Sequence, residues 1–256
     1  MSEERLPRVY TNQPLAANTE IELQPSATKH LQQVLRLRRG DHFIVFDGHG
    51  HDFAAEIKDL RGTNLIACVG AAGPPEPAPA LRIHLGIGVS KGERMEFAIQ
   101  KAVEVGVTEL TPLWTGRSVV KLDGERLARK ITRWQGIIIS ACEQSGRRVL
   151  PRLHQPVKLA DWLAHDHPCG VLLDHRAEAT LHQLPPPVPN QTGNQITLAI
   201  GPEGGLSPEE RATAMAKRFT PVRLGPRILR TETAPLAAIA AIQTLWGDFR
   251  DIPDTE

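Results

Sequence analysis

The sequence predicts an α/β protein in which a small β-rich domain precedes a larger domain built on a parallel sheet. Residues 42–69 hold three short apolar runs separated by glycine turns, as in an antiparallel barrel or sheet. Residues 70–80 are rich in proline and glycine, which predicts a linker. Thr197–Ile200 is a β-branched apolar run that leads through a glycine loop into a helix start. This order of strand, loop and helix is typical of ligand sites at the carboxyl edge of a sheet.

Composition sets broad limits on the function. The 256 residues contain 41% hydrophobic residues, enough for a sizeable core in one large domain or two modest ones. Lysine and arginine number 30 against 29 acidic residues, so the net charge of +1 neither requires nor excludes a nucleic-acid partner. No apolar run approaches the ~20 residues of a membrane span, and the first ten residues lack the apolar core of a signal peptide. We therefore expect a cytoplasmic protein with no membrane partner.

The first domain is expected to cover residues 1–72. Arg8–Tyr10 resembles an edge strand, and Ser26 is a suitable N-cap for a helix that Gly40 would end. Three arginines cluster where this helix is expected to end: Arg36, Arg38 and Arg39. The sequence leaves two interpretations of these arginines open. They are solvated cations that the dipole favours at the end of a helix, or they contact nucleic acid.

The second domain is expected to follow a linker of residues 73–80 and to cover residues 81–256. Its predicted elements are strands at 81–89, 107–114, 171–174, 197–200 and 221–224 and helices at 93–106, from Glu125 and near 236–242. Ser207, Pro208 and Glu210 form the signature of a capping box that starts a further helix. The last helix carries apolar residues on nearly every side, which indicates a second subunit as its cover.

Two segments of this domain carry a family resemblance. Gly201-Pro-Glu-Gly-Gly205 together with Arg227-Ile-Leu-Arg-Thr-Glu-Thr-Ala234 resembles the signature of the RsmE family, the 16S ribosomal RNA uracil-N3 methyltransferases. That family belongs to the SPOUT superfamily, whose enzymes use S-adenosylmethionine, and further matches extend from about Leu31 to Trp246. The resemblance implies a PUA-like RNA-binding β-barrel followed by an α/β methyltransferase domain with a trefoil knot. It also implies a homodimer, formed through the knotted domain and the helix near 235–246, that acts on the small ribosomal subunit.

The resemblance further implies individual site residues. Those expected to bind S-adenosylmethionine are Leu173, Ile200, Gly201, Glu203, Gly204, Leu224, Gly225, Ile228, Leu229 and Thr231. Uracil N3 carries a proton at neutral pH, so methylation requires a base or a cation that stabilises the uracil anion. Glu232 is the candidate base, Arg230 the candidate cation, and Glu203 an alternative base. The competing interpretation is that Arg230 and Glu232 pair with each other and cap the following helix.

Residues that would contact RNA are spread along the chain. The candidates are Arg8, Arg36, Arg38, Arg39, Arg117, Glu143, Gln144 and Arg147. A capped helix end explains the segment around Glu143 nearly as well as base recognition does.

Three other functions are alternatives to this one. They are a SPOUT enzyme acting on another RNA, an RNA-binding protein without catalysis, and a Rossmann-type enzyme, whose fingerprint is missing. We expect no metal, because the close histidine pairs, His49 with His51 and His165 with His167, have no obvious partner ligand.

Overall fold

The computed structural model of the protein describes residues 6–61, 64–118, 123–188 and 194–250. The chain forms two compact units, one of residues 1–77 with 139–150 and one of residues 78–138 with 151–256. The division after Pro77 falls inside the segment expected as a linker. Residues 139–150 belong to the first unit, although the sequence pattern had placed them in the second domain. The polar tail from residue 251 lies outside the described residues.

The first unit contains a five-stranded sheet. Its strands are β1 (Arg8–Tyr10), β2 (Thr19–Leu23), β3 (His42–Phe46), β4 (Asp52–Arg61) and β5 (Asn64–Ala72), in the order β1-β3-β4-β5-β2. Strands β1 and β3 pair in parallel, and the other neighbouring pairs are antiparallel. Alternate strand residues such as Phe43, Val45 and Ile57 are fully buried, as the period of a half-buried strand requires. The predicted edge position of β1 is confirmed.

The helix of this unit begins and ends earlier than predicted. Helix α1 covers Pro25–Lys29 and continues as one π-helical turn to Val34. Gln24 is its N-cap and not Ser26, because Pro25 takes the first helical position, where its missing N–H costs nothing. The helix ends before Gly40 because Arg36 adopts a left-handed backbone with φ of 59°.

The second unit contains a seven-stranded parallel sheet. Its strands are β6 (Arg82–Gly88), β7 (Glu109–Trp114), β8 (Arg152–Leu153), β9 (Val157–Lys158), β10 (Gly170–Leu173), β11 (Gln195–Ile200) and β12 (Thr220–Val222). They follow the order β12-β10-β11-β6-β7-β8, and β9 also pairs with β7. The central strands β6 and β11 are nearly continuous apolar runs, as expected of strands covered on both faces. The order places β10 between two strands that come later in the chain, and the knot itself stays a prediction.

Helices flank this sheet or connect its strands. Those in the described ranges are α2 (Glu93–Glu104), α3 (Gly124–Ser145), α4 (Leu159–Trp162), α5 (Pro208–Ala216) and α6 (Thr233–Trp246), and a 3₁₀ turn covers Leu181–Gln183. Helix α6 packs against α2 and buries one face that includes Ala238, Ile239 and Ile242. Its other face, with Leu236 and Ala240, is only half-buried within one chain. None of the helices in the part of the chain that the structure describes is long and apolar enough to cross a membrane.

Candidate active site

A cavity lies at the carboxyl edge of the second unit's sheet, where β10, β11 and β12 end. Its volume is about 440 Å³, within the ~300–1,000 Å³ typical of small-molecule sites. Three segments form most of its wall: residues 172–176 at the end of β10, 200–206 at the end of β11, and 223–224 with 227–232 after β12. Parallel strands bring these loops together although they are far apart in the sequence, as in other α/β folds.

The loop after β11 is short, tight and followed by a well-capped helix. A Cβ atom on Gly201 would lie 2.9 Å from the backbone of Gly205 and Leu206, so the loop folds closely on itself. Gly205 has φ of 66°, a conformation that favours glycine. Ser207 caps α5 and forms a reciprocal capping box with Glu210. The predicted helix start is therefore confirmed, and it fixes the position at which the loop ends.

The neighbouring strand also restricts this loop. A Cβ atom on Gly88, the last residue of β6, would lie 2.5 Å from Cδ of Pro202. Arg117, in the turn after β7, donates a hydrogen bond of 2.7 Å from Nη1 to the carbonyl oxygen of Gly204. Contacts from β6 and from the turn after β7 thus fix the position of the glycine loop.

The loop after β12 carries the two candidate catalytic side chains. The backbone amides of Thr233 and Ala234 both donate to the carbonyl oxygen of Arg230 at 2.9 Å, which forms the turn into α6. Glu232 occupies the N-cap position of α6, but its side chain makes no capping hydrogen bond. Arg230 Nη1 and Glu232 Oε1 lie 4.0 Å apart, at the outer limit of an ion pair, with the Arg230 side chain 80% exposed. Arg230 and Glu232 therefore do not form a close ion pair with each other.

Glu203 is held differently from Glu232. Its Oε1 accepts a hydrogen bond of 3.2 Å from the amide of Lys91 and lies 3.4 Å from Nη1 of Arg94. Burial on its own would raise the pKa of Glu203, but the hydrogen bonds from its own backbone, from Lys91 and from Arg94 together lower that pKa. An ionised, hydrogen-bonded carboxylate is a weak base, so Glu203 suits a positioning role better than proton removal.

The chemistry of the lining fits S-adenosylmethionine. Leu172, Leu173 and Ile200 offer apolar contacts for an adenine face, and the two loops present backbone polar groups beside them. Asp174, Glu203 and Glu232 add carboxylates to the same lining, which suits a cationic cofactor, and several arginines line the cavity beside them. One of these arginines, Arg211, has a buried Nη1 without a hydrogen-bond partner, 3.6 Å from Oδ2 of Asp174.

The structure brings most of the expected cofactor residues into this one cavity. Lining residues among them are Leu173, Ile200, Gly201, Glu203, Gly204, Leu224, Ile228, Leu229 and Thr231, joined by Arg230 and Glu232. Gly225 is not among the lining residues, and with φ of 82° it turns the loop that carries Leu224.

The expected RNA residues of the first unit divide into exposed and internally bonded side chains. Arg36, Arg38, Arg39 and Gln144 are all exposed. Arg8 is buried: its guanidinium lies 4.6 Å from the Phe46 ring and bonds to Asp52 and to the carbonyl oxygens of Cys142 and Arg147. Glu143 accepts from the amide of Tyr10 at 3.0 Å, and burial raises its pKa. Arg8 and Glu143 therefore hold residues 142–147 against β1.

Several lining residues were not identified from the sequence. They are Arg94, Asp174, His175, Arg176, Arg211 and Arg223. Asp174 could have been found, because it is the last residue of a predicted strand of the sheet. Arg94 and Arg211 lie on helices α2 and α5, and no local pattern indicates which side chains of a helix face a cavity.

Comparison with known proteins assigns the chain to a family. The family model described as an RNA methyltransferase domain matches residues 76–243, and the model of an RNA methyltransferase PUA domain matches residues 23–68. A relative named ribosomal RNA small subunit methyltransferase E, from Buchnera aphidicola subsp. Schizaphis graminum, is 34% identical over 247 residues. That match covers 96% of this chain and 98% of the relative.

Solved structures agree with this assignment. The ribosomal RNA small subunit methyltransferase E of Neisseria gonorrhoeae bound to S-adenosyl methionine superposes with a TM-score of 0.86 at 36% identity, covering 96% of this chain and 100% of that one. A Legionella pneumophila protein in complex with the cofactor SAM superposes with a TM-score of 0.90 at 37% identity, covering 95% and 99%. Both likenesses extend over the PUA-like and the methyltransferase parts of the chain. The α/β fold predicted from the sequence is thereby confirmed, and the chain belongs to the ribosomal RNA small subunit methyltransferase E family.

Proposed function

We propose that this protein transfers a methyl group from S-adenosylmethionine to N3 of a uridine in the 16S ribosomal RNA of the small subunit. The observation that carries the proposal is the cavity in which Arg230 and Glu232 stand beside the glycine loop of residues 201–205. S-adenosylmethionine, when bound, supplies the methyl group from its sulfonium. The strand ends at Leu173 and Ile200, with the loops that follow, would hold the cofactor.

The side chains of the second loop would handle the acceptor base. The N3–H bond of uracil must break, and the Glu232 carboxylate would accept that proton. Arg230, largely exposed at the cavity mouth, would stabilise the negative charge that develops on O2 or O4 of the ring. Glu203, whose oxygen already accepts from Lys91, would keep the glycine loop in place.

Recognition of RNA would involve both units. Arg36, Arg38 and Arg39 lie on one short segment of the PUA-like unit and would meet phosphates, with Gln144 and Arg147 reaching bases. Arg117 would add a contact beside the cavity. The target uridine has to be unpaired, because base pairing hides N3. Since ribosomal RNA is the substrate, the protein would act in the cytoplasm.

A homodimer is part of the proposal. The face of α6 that one chain leaves half-buried carries Leu236, Ala237, Ala240 and Ala241. An apolar helix face of this kind is typical of a subunit interface. We expect a second copy of the chain to cover it.

Two measurements test the function in sequence. Calorimetry of the purified chain with S-adenosylmethionine comes first, followed by methyl transfer to small ribosomal subunits from a strain that lacks the activity. Digestion to nucleosides and mass spectrometry would then identify the product. New N3-methyluridine in 16S RNA is the expected result. Binding without transfer would indicate another RNA or another atom, and no binding would favour an RNA-binding protein without catalysis.

A further inference from the structure

A second polar cluster lies at the opposite, amino-terminal side of the parallel sheet from the cofactor cavity. His84 on β6 is in register with Glu109, the first residue of β7, and His154 directly follows β8. The amide of His154 also donates to the carbonyl oxygen of Leu110, which continues the ladder between these strands. Residues in register on parallel strands face the same side of a sheet, so the fold itself brings the three side chains together.

The three side chains are close enough to share one ligand. One ring nitrogen from each histidine and one carboxylate oxygen of Glu109 all lie within 4.8 Å of one another. Within the described ranges of the chain, no other group of three or more histidine, cysteine, aspartate or glutamate side chains meets this criterion. Glu109 Oε2 and His154 Nε2 are already 2.8 Å apart.

Neighbouring groups orient these side chains. Thr111 Oγ1 lies 2.8 Å from Nε2 of His84, and Arg82 Nη2 donates to the other carboxylate oxygen of Glu109 at 2.8 Å. The Trp162 ring stands edge-on to His84, with ring centres 5.6 Å apart, and shields it from solvent.

We propose that His84, Glu109 and His154 form a binding site for one Zn²⁺ ion, in contrast to the expectation of no metal, which considered only histidines close together in the sequence. Two imidazoles and one carboxylate are an established zinc ligand set, with water in the fourth position. Tetrahedral zinc places its ligand atoms about 3.3 Å apart, so side-chain rotations that close the cluster by about 1.5 Å would complete the site. Thr111 and Arg82 are then the outer partners that fix the ligand orientations.

A zinc ion bound at this site would stabilise the fold and take no part in methyl transfer. Strand β8 has only two residues, and a metal bound to Glu109 and His154 would hold the segment after β8 against β7. Because the cluster and the cofactor cavity lie at opposite edges of the sheet, we expect zinc to leave the affinity for S-adenosylmethionine unchanged. Binding to the folded chain alone would raise the temperature of unfolding.

The test uses the untagged, metal-free full chain with zinc chloride in calorimetry and thermal unfolding. We expect one ion per chain and a higher unfolding temperature with zinc. His154→Ala and the isosteric Glu109→Gln should each weaken binding by at least about tenfold. His165→Ala is the matched control, since His165 is exposed and lies outside the cluster. It should bind zinc like the parent chain.

Three results would overturn the site. They are no heat of zinc binding in the parent chain, unchanged affinity in both cluster variants, or an equal loss in His165→Ala. Circular dichroism of each metal-free variant, together with its affinity for S-adenosylmethionine, separates a lost site from a lost fold. If Glu109→Gln does not fold, His154→Ala, at a half-buried position, still tests whether the cluster binds zinc. Parent-like zinc affinity in His154→Ala would then show that the three side chains form a hydrogen-bond network and not a zinc site.

Discussion

Arg117 donates a hydrogen bond of 2.7 Å from Nη1 to the carbonyl oxygen of Gly204 and so ties the turn after β7 to the glycine loop. The same turn is held a second time, because the amide of Gly116 donates to Oε1 of Glu210 at 2.7 Å. Oε2 of Glu210 in turn accepts from the amide of Ser207. The sequence indicated Arg117 only as an RNA contact, and this geometry gives it a second role in positioning the cofactor loop.

Arg117→Ala should therefore weaken S-adenosylmethionine binding as well as any RNA contact. Loss of one exposed, charge-assisted hydrogen bond predicts about a fivefold higher Kd, equivalent to ~1 kcal/mol. Calorimetry with the cofactor alone measures this without RNA. Arg126→Ala, an exposed arginine at the start of α3, is the control and should leave the Kd unchanged. An unaltered Kd in Arg117→Ala would limit that residue to RNA contact.

Gly88→Ala tests the close approach between β6 and the glycine loop. The new Cβ would contact the backbone and ring of Pro202, neither of which can move aside cheaply. We expect at least about tenfold weaker cofactor binding and a loss of about 1–3 kcal/mol in the free energy of unfolding. Calorimetry and urea unfolding measure the two effects.

The control for Gly88 is another glycine-to-alanine change. Gly136 lies in the middle of α3, where a Cβ meets nothing within 4 Å. Gly136→Ala should stabilise the fold by up to about 1 kcal/mol and leave cofactor binding unchanged. Parent-like cofactor affinity in Gly88→Ala would show that the loop adapts to the added atom.

Local sequence patterns predict some features of this site but not the contacts that depend on strand register. The capping box of Ser207 and Glu210 and the strands that lead into glycine loops depend on neighbouring residues, so their patterns are visible locally. The contact of Gly88 with Pro202 and the cluster around His84 depend on strand register across the sheet. No spacing along the chain encodes that register. The start of α1 was misplaced for a local reason, since Pro25 competes with the capping preference of Ser26.

The ion pair between α2 and α3 predicts a pH dependence of stability. Arg133 contacts Glu96 through Nε at 2.5 Å and Nη2 at 2.6 Å. The hydrogen bond from Arg133 is the main cause that lowers the pKa of Glu96 below its ordinary 4.5, with Lys130 contributing. Because the folded-state pKa is depressed, the pair stabilises the fold above pH 4.5 and loses this effect as the pH falls through the lowered value.

Glu96→Gln should accordingly lower the midpoint of thermal unfolding at pH 7 by about 1–3 °C. The difference from the parent chain should shrink as the pH falls below 4.5, because protonation removes the same charge from the parent. Thermal unfolding of both chains across this range measures it. A difference that stays constant with pH would attribute the effect to packing and not to charge.

Glu232 and Arg230 provide the test of the proposed proton transfer. Glu232→Gln keeps the shape of the side chain but cannot accept the N3 proton, so kcat should fall at least about tenfold while the cofactor Kd stays within about twofold. Arg230→Ala should also lower kcat at least about tenfold, since the charge on the uracil oxygens is no longer stabilised. Rates are measured as methyl transfer to small ribosomal subunits, with the cofactor Kd from calorimetry.

Two residues of the same cavity serve as matched controls for this pair. Arg227→Ala removes an equal charge three residues earlier in the loop and should keep most of the parent kcat. Glu203→Gln removes a carboxylate that is hydrogen-bonded to Lys91, so it should raise the cofactor Kd more than it lowers kcat. A parent-like kcat in Glu232→Gln, combined with a large loss in Glu203→Gln, would reverse the two roles. It would make Glu203 the base in spite of its lowered pKa.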